Sequence, residues 1–164
     1  MRISSEPIER LAADLGRRLI ARGWRVATAE SCTGGLVAGA ITAIAGSSDW
    51  FDRGFVTYSN DAKIESLGVP PATIAAHGAV SEPTAIAMAH GALAHSAASI
   101  AVAVTGIAGP GGGTPGKPVG MVCVAWSCRG GDTVAVTHQL PGDRAEVRRA
   151  SVAIALRGLI DRLE

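Results

Sequence analysis

The sequence predicts an α/β fold, a single three-layer α/β/α domain with a mixed, mostly parallel sheet. Three observations predict it. Short strand-like runs alternate with runs of helical period: residues 24–29 and then 34–45, residues 54–58 and then 60–66. Residues 99–105 form a continuous small apolar run, the mark of a central strand covered on both faces. Residues 119–126 and 132–139 read as a hairpin across Arg129-Gly130-Gly131, which adds antiparallel pairing.

The first helix follows from Ile8, Leu11, Leu15 and Leu19 on one face, with Pro7 at its start and Gly23 at its stop. Residues 46–49 read as a turn. Asn60 is the expected cap of the short helix through Ser66; Gly68 and the Pro70-Pro71 pair end it and open another. Ser81 and Thr84 open a long Ala-rich helix to about His95. The last helix is expected from Asp143 to Leu163. No repeat or linker interrupts the pattern, so one domain over 1–164 is expected.

Composition narrows the class. The 164 residues are 48% hydrophobic but include only three Trp, two Phe and one Tyr. The core must therefore be built from Ala, Val, Ile and Leu, and the chain is long enough to bury one. No apolar run is long enough to span a bilayer, and the N-terminal residues lack an apolar signal segment. The net charge of +1 gives no whole-protein field for nucleic acid. Three cysteines, an odd count, favour reduced thiols. The expectation is a cytoplasmic protein with neither membrane nor nucleic acid as partner.

The stretch Ala29-Glu30-Ser31-Cys32-Thr33-Gly34-Gly35 joins a strand to a helix. Such junctions carry nucleophiles in α/β proteins, because the N–H groups of the new helix face what is attacked. Ser31 is the candidate nucleophile, and backbone N–H groups of Thr33, Gly34 and Gly35 are the candidate oxyanion donors. A helix cap is the plainer role for Ser31 or Thr33. Cys32 could replace Ser31, but cysteine is more often a small buried hydrophobe.

Tyr58 is expected to close the second strand, and Lys63 to sit in the first turn of the next helix. The helix dipole and burial there both disfavour the charged ammonium, and a lysine of lowered pKa can serve a serine as base. A solvated surface lysine is the commoner fate. Thr105 ends the buried strand. Ser31, Tyr58 and Thr105 thus fall at carboxyl ends of strands, where open α/β sheets bind ligands.

The segment 106–118 is glycine-rich. Gly111 to Lys117 satisfies the G-x-x-x-x-G-K half of a phosphate-binding loop, but Pro118 stands where Ser or Thr should hold magnesium. A strand rather than a helix follows, so an ATPase is excluded. A loop lining an anion pocket, with Lys117 as its cation, is retained. Arg144 and Arg148 share a face of the last helix and suit phosphate, or a solvated face. His90 and His95 are five apart and point to different faces; with no H-E-x-x-H or C-x-x-C, no metal site is expected.

Five segments together, Ala29 to Gly35, Val56 to Lys63, Gly78 to Ser81, Thr105 to Pro110 and Lys117 to Gly120, resemble the CinA C-terminal-domain family across nearly the whole chain. The resemblance is to its stand-alone form and implies a nicotinamide-nucleotide amidase. Such an enzyme converts nicotinamide mononucleotide to nicotinate mononucleotide and ammonia without a cofactor. It implies a Ser31 nucleophile, Lys63 and Tyr58 as activating partners, and Thr105, Gly106 and Gly109 in the pocket. Lys117, Arg144 and Arg148 are candidates for the phosphate, from one subunit or from a neighbour in a homo-oligomer. Gly116 and Met121 depart from the family pattern, which has an acidic and a small residue there. A non-catalytic nucleotide-binding module and an amidase for another amide are the alternatives.

Overall fold

A computed structural model describes residues 6–164. The expectation for the first five residues lies outside the described residues. The elements run α1 (Ile8–Arg22), β1 (Val26–Glu30), α2 (Leu36–Thr42), a 3-10 turn (Ser47–Asp49), β2 (Phe51–Val56), α3 (Asn60–Leu67), α4 (Pro71–His77), α5 (Glu82–Ala94), β3 (Ile100–Gly106), β4 (Met121–Cys128), β5 (Thr133–Gln139) and α6 (Arg144–Asp161).

One sheet takes the order β2-β1-β3-β4-β5. β1 pairs in parallel with both β2 and β3, and β4 pairs antiparallel with β3 and β5. Four of the five strands therefore run one way, and β4 alone runs against them. The hairpin that its turn residues predict is formed by β4 and β5, at one edge of the sheet.

The alternation along β3 sets the layers. Ile100, Val102 and Val104 face one side, with Val26, Val124 and Trp126, and pack against α1, α2 and α6. Ala101 and Ala103 face the other side, with Ala27, Ala29 and Ala125, and pack against α5. Bulky residues on one face and alanines on the other let the Ala-rich α5 lie close to the sheet. Each fully buried Val or Leu in these layers contributes about 1.5–3 kcal/mol.

Helix α3, which carries Lys63, rests on α5 at Gly91. A Cβ at Gly91 would fall on the Leu67 carbonyl oxygen. Helix α6 starts in a capping box, Asp143 accepting from the Glu146 N–H and Glu146 from the Asp143 N–H. Further along, Gly158 lies under the Trp126 indole, whose N–H donates to the Ala155 carbonyl at 3.0 Å.

Helix α2 is shorter than the 34–45 expected and β4 is shifted from 119–126, and two further differences bear on Tyr58 and Lys63. The second strand is Phe51–Val56, not 54–58. Thr57 N–H still donates to the Glu30 carbonyl at 2.8 Å, but the chain then turns away toward α3, leaving Tyr58 beyond the strand. The cap of α3 is Ser59, not Asn60; its hydroxyl accepts from the Ala62 N–H at 3.0 Å. Lys63 therefore sits one position deeper in the helix than expected.

Candidate active site

A cavity of about 280 Å³ opens at the carboxyl ends of β1 and β3. It is lined by Ser31, Lys63, Tyr58, Thr105 and Arg144, and by the glycine-rich segment that follows β3. This is where a parallel αβ arrangement leaves a crevice between diverging connections.

Ser31 is the first residue past β1. Its N–H donates to the Val104 carbonyl at 2.9 Å, which continues the β1–β3 pairing by one residue and fixes the serine against the central strand. Lys63 reaches it from α3. The Lys63 ammonium donates to Ser31 Oγ at 3.2 Å and to the Thr57 carbonyl at 2.9 Å. Its side chain is 1% exposed and, among the described residues, it meets no carboxylate. For a buried ammonium without an anion, two neutral acceptors replace only part of the lost hydration. Burial accordingly holds the Lys63 pKa below its usual value.

Cys32 also lines the cavity, but burial pushes its thiol up to about 11. It is a neutral thiol at neutral pH and a poor nucleophile. The hydrogen bond of the buried lysine goes to the serine next to it.

Glu30 escaped the sequence reading. It is 1% exposed at the end of β1, and its carboxylate accepts the N–H groups of Val37 and Ala38 at 2.8 and 3.0 Å. The opening N–H groups of α2 are thus occupied by an internal anion rather than offered to a ligand. The signal was present: an acid that closes a buried, largely apolar strand must find buried donors.

The turn itself needs its glycines, since Gly34 has φ of 56° and Gly35 of 103°. Thr33, Gly34 and Gly35 do not line the cavity. Arg148 packs behind them and donates to the carbonyls of Cys32 and Thr33, at 3.0 and 3.3 Å. It too lies outside the cavity wall. Arg144, one helical turn earlier, is in the wall. It donates to the Gly109 carbonyl at 2.9 Å and to the Tyr58 hydroxyl at 3.2 Å. Tyr58 is 64% exposed at the mouth and bonded to Arg144 rather than to Ser31 or Lys63.

Thr105 ties the end of β3 to the segment before α5, donating to the Ala79 carbonyl at 2.8 Å. Gly106 and Gly109 form part of the wall. Lys117 does not; its ammonium is bonded to the His77 carbonyl at the end of α4. The glycine segment runs directly into β4 without a helix, so the phosphate-loop reading fails on structure as it does on sequence. His90 and His95 turn to Thr133 and to the Gly91 carbonyl respectively. Among the described residues no helix is long and apolar enough to cross a membrane.

Comparison with known proteins follows the same lines. The family model described as CinA C-terminal domain matches residues 8–163. The chain is 50% identical over 157 residues to the Escherichia coli K12 nicotinamide-nucleotide amidohydrolase PncC, covering 96% of this chain and 95% of that one. It is 55% identical over 156 residues to a Symbiobacterium thermophilum relative, but spans only 37% of that longer protein. The crystal structure of competence/damage inducible protein CihA from Agrobacterium tumefaciens superposes with a TM-score of 0.93 at 53% identity, covering 96% of this chain and 98% of that one.

Proposed function

The chain belongs to the CinA C-terminal domain family, and from that premise we propose that it is a nicotinamide-nucleotide amidohydrolase whose nucleophile is Ser31 and whose base is Lys63. The reaction is hydrolysis of the carboxamide of nicotinamide mononucleotide to nicotinate mononucleotide and ammonia. The observation that carries this reading is the Lys63–Ser31 contact at 3.2 Å, made by a buried lysine that, among the described residues, has no carboxylate to keep it charged.

The steps follow from that pair. Neutral Lys63 takes the Ser31 proton as Oγ attacks the carboxamide carbon. The tetrahedral adduct collapses, the C–N bond breaks, and the Lys63 ammonium returns the proton to the departing nitrogen, which leaves as ammonia. Water then attacks the acyl-serine, Lys63 accepts its proton, and Ser31 regains it as the acid is released. No external cofactor enters the balance.

The supporting groups sort by position. Ala108, Gly109, Gly111 and Gly112 wall the cavity, and their peptide N–H groups are the candidate oxyanion donors of this reading in place of Thr33, Gly34 and Gly35, which do not line it. Arg144 is the cation of the wall and, in this reading, meets the 5′-phosphate; Arg148 and Lys117 are engaged elsewhere. Tyr58 orients Arg144 and shields the mouth rather than handling the proton. The free thiols of Cys32, Cys123 and Cys128 support a cytoplasmic setting. The nucleotide is the partner of this reading, with no nucleic acid and with a homo-oligomer as the assembly.

The direct test is ammonia release by the purified protein from nicotinamide mononucleotide, the phosphate-free riboside and free nicotinamide. Turnover of the mononucleotide above the other two is the expected result. Binding without turnover would leave a nucleotide-binding module, and turnover of a different amide would replace the substrate.

A further inference from the structure

We propose that Arg148 is a positioning residue for the nucleophile: from α6 it fixes the peptide planes of the turn after Ser31 and thereby aims the Ser31 hydroxyl at Lys63. The proposal rests on the reading of Ser31 and Lys63 given above, and deepens it.

The grip is bidentate. Arg148 Nε donates to the Cys32 carbonyl at 3.0 Å and Nη2 to the Thr33 carbonyl at 3.3 Å. A planar guanidinium holds two acceptors in a fixed relation, which an ammonium cannot do. In a trans peptide the carbonyl and the following N–H point opposite ways. Drawing the Cys32 and Thr33 oxygens toward α6 therefore fixes the directions of the Thr33 and Gly34 N–H groups. The Gly34 N–H in turn donates to the Ser31 carbonyl at 3.0 Å. A continuous path of hydrogen bonds runs from Arg148 through one peptide to the backbone of the serine.

The turn requires such a hold. Gly34 and Gly35 sit in the left-handed region and have many other conformations open to them. Glu30 secures the far side, where its carboxylate takes the N–H groups of Val37 and Ala38. An anion thus grips the N–H side of the segment and a cation its carbonyl side, each matched to the partial charge it meets. Loss of the cation frees the carbonyl side just beyond the residue whose placement matters most.

Position separates Arg148 from a phosphate ligand. It does not line the cavity, and the two donors described above are turned to backbone. Arg144, on the same helix face, lines the cavity and is the contrast.

The experiment compares wild type with Arg148→Ala, Arg148→Lys, Arg148→Gln and Arg144→Ala. Three readouts are taken: kcat and KM on the mononucleotide and on the riboside, the pH profile of kcat/KM, and the rate at which a fluorophosphonate probe modifies Ser31. Arg148→Ala should lower kcat about 100-fold, the scale of a misplacement of about 1 Å. KM should stay within about twofold on both substrates, because no substrate contact is lost. The pH midpoint should move little, since the burial that sets it and the bond to the Thr57 carbonyl are kept, and probe labelling should slow in step with kcat. Methylguanidinium added to Arg148→Ala should restore part of both rates, whereas Arg148→Lys should not match wild type in either.

Wild-type kcat and labelling in a folded Arg148→Ala protein would overturn the proposal. So would a KM rise confined to the mononucleotide, which would make Arg148 a phosphate ligand. If Arg148→Ala does not fold, Arg148→Lys and Arg148→Gln decide by the same readouts. If wild type releases no ammonia, the substrate reading fails by itself; the labelling rates still decide Arg148, and equal rates across the variants sink it. A wild-type Ser31 that does not react with the probe overturns both.

Discussion

Lys63 donates a 3.2 Å hydrogen bond to Ser31 across 32 residues of sequence, from a helix on the alanine-lined face of the sheet to the tip of an interior strand. The bond exists because Ser59 starts α3 at the right residue and because Gly91 lets that helix rest on α5.

Ser31→Ala should abolish ammonia release, with loss of at least a thousandfold, while Tm changes little. Cys32→Ser should keep most activity, because the thiol is neutral at neutral pH. Ammonia assays and thermal melts on both variants check this; retention of a tenth of wild-type rate by Ser31→Ala would remove the serine from the mechanism.

The pH dependence has a fixed sign. Burial lowers the Lys63 pKa from its ordinary 10.5, and the neutral amine is the working form. Activity should therefore rise with pH through a midpoint below 10.5. Lys63→Arg cannot deprotonate and should be as inactive as Lys63→Ala. Stability moves the same way. The unfolded chain binds this proton more tightly than the folded one, so wild type should gain stability as pH rises from the folded pKa toward 10.5. The Tm of wild type relative to Lys63→Met, measured across that range, reads this directly; a flat difference would contradict it.

Arg144→Ala should weaken the mononucleotide far more than the riboside. Loss of one charge-assisted bond costs about 1.5–3 kcal/mol, or roughly 10- to 150-fold in KM. Paired KM measurements on the two substrates suffice, and an equal loss on both would show that Arg144 does not read phosphate.

Gly91→Ala should act on the site from a distance. Its new methyl would meet the Leu67 carbonyl and push α3 off α5. Overpacking of this kind costs about 1–3 kcal/mol, or roughly 2–12 °C in Tm for a chain of this size. Because α3 carries Lys63, kcat should fall even at temperatures where the variant is fully folded. Circular dichroism melts with kcat at 15 °C test both parts.

That Ser31 stands at a strand end and Lys63 near a helix start was legible in the sequence, because both are local signals. The layers were legible too, since the Val–Ala alternation of 99–105 belongs to a strand covered twice. Other features depended on what is remote. Asn60 and Ser59 are both good caps, and only the path of the chain after Val56 selects Ser59. Arg144 and Arg148 look equivalent four residues apart, yet one meets the Gly109 loop and the other the Ser31 turn. The N–H groups at the start of α2 looked free because their partner, Glu30, is seven residues from Val37 and buried. Lys117 read as a pocket cation, and nothing near it in sequence reveals the His77 carbonyl that holds it.

Gly158 gives α6 the mechanics of a lever. The helix is seated where that glycine meets the Trp126 indole, and Arg144 projects from it fourteen residues away. At 1.5 Å per residue the arm is about 21 Å long, so a tilt of about 3° at the seat would carry Arg144 roughly 1 Å across the cavity. A methyl group added at Gly158, far from any reacting atom, would therefore be felt at the cavity wall as an error of aim.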